Sequence, residues 1–101
     1  MRNEKLLASL GFAQKAGKVR SGEFAAEKAV KSGKAFAAVL DKAASENSAK
    51  HWSDICSSAG VPLILAEGVG KAIGREAHMI ACITDMGFAQ MILRAQQEIE
   101  S

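Results

Sequence analysis

The residues of this chain best suited to chemistry are its cations, and their grouping points to phosphate. Between Lys15 and Lys34 stand six basic residues, Lys15, Lys18, Arg20, Lys28, Lys31 and Lys34, against two acids, Glu23 and Glu27, although the whole 101-residue chain has a net charge of only +2. Clustered lysines and arginines neutralise a phosphate backbone and release its counterions. Ser21 and Gly22 open a helix inside this segment, where free N–H groups and the helix dipole attract an anion. Lys28 and Lys31, three apart, share one face of that helix, and the turn before it presents Lys15, Lys18 and Arg20 beside the same end. A solvated helix face is the plain alternative for any charge run. The pairing of cations with a helix N-terminus favours contact with a phosphate backbone.

The other motifs are weaker. Gly68-Val69-Gly70-Lys71-Ala72-Ile73-Gly74 resembles a phosphate loop, but the spacing is GxGxxxG and lies late in the chain. A dinucleotide fingerprint needs GxGxxG after the first strand, and a P-loop needs Gly where Leu65 stands and Ser or Thr where Ala72 stands. A short helix between two tight turns explains it. Cys56 and Cys82 form no CxxC and have no histidine beside them, so zinc and redox motifs have no foothold and buried free thiols are expected. His51 has Asp54 one helical turn on, which reads as an exposed helical pair. No serine lies in a GxSxG elbow, and no nucleophile, base and orienting group stand together. The chain is therefore expected to be no enzyme, with no cofactor, no metal and no small-molecule substrate.

Composition sets the frame. The length fits one domain over residues 1–101, and 49% hydrophobic with 24% charged residues is ordinary for a globular fold. No apolar run reaches membrane-span length, and Arg2, Asn3, Glu4 and Lys5 do not open a signal peptide. Free thiols without an export signal point to the cytoplasm.

The elements that must position the cations can be read in order. Asn3 caps a first helix carrying Leu6, Leu7, Leu10 and Ala13, which stops at Gly17. After an extended Lys18-Val19-Arg20, Ser21 caps the basic second helix, which buries Ala26, Ala29 and Val30 and ends at Gly33. The unbroken apolar run from Ala35 to Leu40, closed by Asp41, predicts a strand covered on both faces. Ser45 caps a third helix with Trp52, Ile55, Cys56 and Ala59 inward, and Gly60 and Pro62 end it. Leu63 to Ala66 and Met79 to Ile83 predict two further buried strands around a short helix from Val69 to Ile73. Asp85 caps a last helix with Phe88, Met91, Ile92, Ala95 and Ile99 inward. Helices returning between short apolar strands must cover both sheet faces, which gives an α/β fold, a three-layer α/β/α sandwich with a small mixed β-sheet. Of the aromatics Phe12, Phe24, Phe36, Trp52 and Phe88, most read as core, and Phe24 alone is placed to meet either a base or the core. A single-strand stacking platform is thus poorly supported, and structured RNA read by shape and backbone fits better.

Ser21-Gly22-Glu23 with Lys28, Ser32-Gly33-Lys34-Ala35, Asp41 through Ala44-Ser45-Glu46-Asn47, Val61-Pro62 and Gly70-Lys71-Ala72-Ile73-Gly74 together resemble the L-seven-Ae/L-thirty-e ribosomal protein superfamily over nearly the whole chain. Within it, the likeness is to small bacterial YlxQ-type members. The resemblance implies an α/β/α sandwich that binds structured RNA, in many relatives a kink-turn, as part of the translation machinery or the ribosome. It also implies the site: Gly-x-Asn-Glu-x-x-Lys at the start of helix two, with a loop closing from opposite. Here Gly22 and Lys28 match the first and last positions, while Phe24 and Ala25 stand in place of Asn and Glu. In the loop Arg75-Glu76-Ala77-His78, the length and Glu76 match, and His78 replaces a small residue. Implied backbone contact thus remains through Gly22, Lys28, Lys31 and Lys34, with Arg75 and Glu76 clamping from the loop, whereas base-edge hydrogen bonds from residues 24 and 25 are absent. The rival reading is a protein-docking module of the same fold within a ribonucleoprotein assembly.

Overall fold

Two apolar stretches whose side chains are covered on both faces form the middle of the sheet. The computed structural model describes residues 4–100, the side chains of residues 99 and 100 excepted, so the cap read at Asn3 and the inward side chain read at Ile99 lie outside what is described. The order is α1 (Glu4–Lys15), β1 (Val19–Ser21), α2 (Glu23–Lys31), β2 (Ala37–Asp41), α3 (Glu46–Ala59), β3 (Leu63–Ala66), α4 (Val69–Ala72), β4 (Ile80–Ile83) and α5 (Met86–Glu100). The sheet runs β1-β4-β2-β3. β4 is antiparallel to both neighbours, with Val19 opposite Ile83 and Val39 opposite Ala81, and β2 is parallel to β3, with Val39 opposite Ile64.

Alternation along the central strands builds two cores. Ala37 and Val39 of β2, with Ala81 and Ile83 of β4, meet Leu6, Leu10, Val69 and Ile92 from α1, α4 and α5. Ala38 and Leu40, with Ile80 and Cys82, meet Ala26, Val30, Trp52 and Cys56 from α2 and α3. Period-two strands between two sets of amphipathic helices are what a three-layer sandwich requires, and the expected architecture is the one observed.

The helix stops and starts follow their caps. Ser45 Oγ accepts the Ser48 N–H at 3.1 Å at the start of α3, and Gly60 takes the left-handed conformation at its end. Asp85 Oδ2 accepts the Phe88 N–H at 3.0 Å at the start of α5. Both cysteines are free and buried; burial pushes the Cys82 thiol up to about 12, which keeps it protonated and inert.

Several expectations need correction. Val19 and Arg20 of the extended segment, joined by Ser21 and without Lys18, form a fourth strand, β1, held at the sheet edge by β4. Ser21 does not cap α2: Gly22 occupies that position without a side-chain cap, and the serine hydroxyl is engaged elsewhere. Leu65 is exposed because β3 is an edge strand, and Met91 and Ala59 also face outward, at the margins of their helix stripes. His51 pairs across to Glu27 of α2, Nε2 to Oε1 at 2.9 Å, while Asp54 pairs with Lys50. Only Trp52 among the aromatics is fully buried; Phe12, Phe24 and Phe36 are exposed.

Candidate nucleic-acid interface

One rim of the sandwich gathers most of the residues singled out in the sequence. β1 delivers Arg20 and Ser21 to this rim, and the Gly22 N–H donates to the Ile80 carbonyl at 3.1 Å, so the start of α2 hangs from the end of β4. Gly22 has φ 86° and ψ 153°, a conformation that is essentially reserved for glycine. The first turn of α2 consequently begins without a side-chain cap, and a helix start of this kind favours an anion.

The segment from Arg75 to His78 closes against this helix end. Its seat is Gly70: a Cβ there would lie 2.6 Å from the Arg75 carbonyl oxygen, 2.8 Å from that of Glu76 and 2.9 Å from that of His78. The Arg75 N–H donates to the Gly70 carbonyl at 2.8 Å, and the His78 N–H to the Arg75 carbonyl at 2.9 Å. α4, which carries Gly70, is itself fixed by Asp41, whose Oδ2 accepts the Gly68 and Val69 N–H groups, each at 3.1 Å. His78 then bridges to α2. Its Nδ1 lies 2.8 Å from Ser21 Oγ, and its ring packs over Gly22, with Cε1 3.2 Å from where a Cβ would stand. The late glycine motif thus positions a loop.

The cations do not all face one way. Arg20, Lys28 and Lys34 line a groove of about 730 Å³ along α2, and no carboxylate lines it. Arg20 is steadied by its own turn, Nη1 donating to the Gly17 and Val19 carbonyls at 3.3 and 3.1 Å. Among the described residues, no acid pairs with Lys28 or Lys34. Lys31 is different: its Nζ is 2.8 Å from Glu27 Oε2, and it borders Asp54 and Ile55 of α3. The hydrogen bonds from Lys31 and His51 hold the Glu27 carboxyl below the usual carboxylate range. Lys15 and Lys18 are exposed on the turn before β1, and the Lys18 carbonyl accepts from Thr84. Glu23 and Phe24 are exposed in the first turn of α2, and Arg75, Glu76 and Ala77 are exposed on the loop.

Three neighbours of this rim are not singled out as contact residues by the sequence. Ser21 has the pattern of a cap, and its link to His78 depends on a pairing across 57 positions that no local pattern reveals. Phe36 has the pattern of buried strand, and Thr84 has none; both line the groove with Arg20 and Lys28.

A three-layer sandwich that presents an uncapped, glycine-started helix and a facing loop beside unpaired cations defines a class of small binding domain. Similarity to known proteins supplies the family. The chain is 37% identical over 87 residues to the RNA-binding protein YlxQ of Bacillus subtilis (strain 168), covering 83% of this chain and 87% of the relative. A protein of unknown function from Bacillus halodurans superposes with a TM-score of 0.84 at 27% identity, covering 96% of this chain and 98% of that one. The Giardia lamblia 15.5kD RNA binding protein shares the fold with a TM-score of 0.78 at 19% identity, covering 98% and 88%. No family model matches the chain. The chain belongs to the YlxQ family.

Proposed function

We propose that this chain is a non-catalytic RNA-binding protein of the cytoplasmic translation machinery, acting as one domain and taking structured RNA on the rim formed by α2 and the loop from Arg75 to His78. The observation that carries this reading is the convergence of the uncapped α2 N-terminus, its facing loop and the unpaired Lys28 on one surface. Two proteins similar to it bear RNA-binding names, YlxQ by sequence and the Giardia protein by fold. In this reading Gly22 lets the RNA backbone approach the helix start, Lys28 and Lys34 neutralise phosphates, and Arg75 and Glu76 close from the loop. Lys31 acts at longer range, since Glu27 holds it. Selection by base edges is weak, because Phe24 and Ala25 offer no hydrogen-bonding side chains to a base.

The test is a titration of labelled kink-turn, plain duplex and single-stranded RNAs at low salt, repeated with Lys28→Ala. Binding should be weakened by roughly five- to tenfold for each RNA the wild type holds, equivalent to about 1 kcal/mol of attraction between one exposed cation and a phosphate. No binding above that of a neutral control would contradict the reading. Equal affinity for kink-turn and duplex would show backbone recognition without preference for the kink.

A further inference from the structure

We infer that the groove along α2 is a binding site for unpaired nucleotides, with bases stacked on Phe24 and Phe36 and phosphates held by Arg20, Lys28 and Lys34. This rests on the RNA-binding reading above and deepens it, since Phe24 and Lys28 belong to the start of α2 and the groove carries that site on to Lys34 and Phe36.

Two exposed phenylalanines line this one groove, Phe24 at 84% exposure and Phe36 at 39%. Phe24 stands in the first turn of α2, and Phe36 follows its C-terminal end, between Lys34 and β2. Its N–H donates to the Ile83 carbonyl at 2.8 Å, which fixes its backbone one residue outside the strand. An exposed aromatic has no role in the core, and every nucleobase offers a π-face to stack on one. The groove's size, about 730 Å³, falls within the range of clefts that hold small organic ligands.

Charge decides the occupant. Cations line the groove from Arg20 on β1 to Lys34 beyond α2, and no acid interrupts them. Thr84 at its edge spends its hydroxyl on the Lys18 carbonyl at 3.2 Å, so it adds little hydrogen-bonding readout. Aromatics combined with cations and little side-chain hydrogen bonding suit a single strand bound with little sequence preference. The groove also adjoins the proposed RNA rim through Phe24 and Lys28, so a strand leaving a stem held at the α2 start runs into it.

The experiment compares a blunt RNA duplex with the same duplex carrying a short uridine overhang, using the wild type, Phe24→Leu and Phe36→Leu. Leucine keeps the apolar bulk and removes the ring, and a thermal melt confirms that each variant folds. The overhang should tighten wild-type binding by about tenfold. Each leucine variant should lose most of that gain, and Phe36→Leu should hold the blunt duplex as the wild type does. An overhang that adds nothing for the wild type, or a gain intact in both variants, overturns the inference while leaving the RNA-binding reading in place. Failure to bind either RNA overturns both. Displacement of the overhang RNA by an acidic, leucine-containing peptide that binds wild type and variants alike assigns the groove to a protein partner and also overturns the inference.

Discussion

Gly70→Ala is expected to lower the melting temperature by about 10 °C and to weaken RNA binding beyond what the reduced stability explains. The added Cβ would enter a space already enclosed by three carbonyl oxygens at 2.6 to 2.9 Å. These are backbone atoms, so relief requires moving the loop itself. Overpacking of this kind costs about 1–3 kcal/mol, and each kcal/mol corresponds to roughly 4–8 °C in a domain of this size. The shifted loop would carry His78 away from Ser21 and Gly22, separating the two halves of the rim. Gly60→Ala, at the end of α3 and away from the rim and the groove, is the control: its φ is 70° and nothing lies within 4 Å of the added carbon, so it should show backbone strain alone, with RNA binding unchanged. Equal melting temperatures for wild type and Gly70→Ala would show that the loop is not seated on this glycine.

The second large effect comes from charge. Replacing Arg20, Lys28 and Lys34 together with glutamine should weaken binding of an overhang-bearing duplex by about a hundredfold at low salt, since each solvent-exposed cation contributes about 1 kcal/mol of attraction to a neighbouring phosphate. The same variant should flatten the dependence of log K on log salt by about 2 to 3, since each duplex phosphate neutralised contributes about 0.9 and each single-strand phosphate about 0.7. Stability should change little, because Lys28 and Lys34 make no ion pair among the described residues and Arg20 is an exposed residue whose side chain reaches only carbonyls of its own turn. Lys31→Gln is the informative comparison: it removes a cation already tied to Glu27 and should cost far less. A salt slope equal to the wild type's in the triple variant would place the RNA elsewhere.

Much of the architecture is legible because it is written locally. Ser45, Gly60 and Asp85 mark helix ends through hydrogen bonds and φ values that involve only a few neighbouring residues. The run ending at Leu40 has no polar alternation, and its strand is indeed covered on both faces. β1 is not legible as a strand, because three residues gain their ladder only from β4, more than fifty positions away. Local rules also misassign Ser21. A serine before a helix can cap it, but this hydroxyl is taken by His78, and Gly22 assumes the cap position with a backbone that no other residue adopts easily. Phe36 shows the limit of hydropathy: it is continuous with a buried strand in sequence, yet lies just beyond the end of the sheet and opens into the groove.

The candidate site divides in the same way. Composition points to the segment from Lys15 to Lys34, and the sheet brings Arg20, Gly22 and Lys28 to a common rim with His78. Composition cannot tell that Lys31 turns toward Glu27, because the partner of a helical lysine depends on which carboxylate is nearest, here one turn back on its own helix. Nor can it show that Asp41, which reads only as the end of a strand, fixes α4 and through it the loop.

The most direct test of the rim is amide chemical-shift mapping of the labelled protein during titration with an RNA hairpin. The account predicts shifts concentrated in residues 20–28 and 75–80, with the outer faces of α3 and α5 unmoved. Shifts centred on α3 or α5, with the α2 start and its facing loop silent, would contradict it.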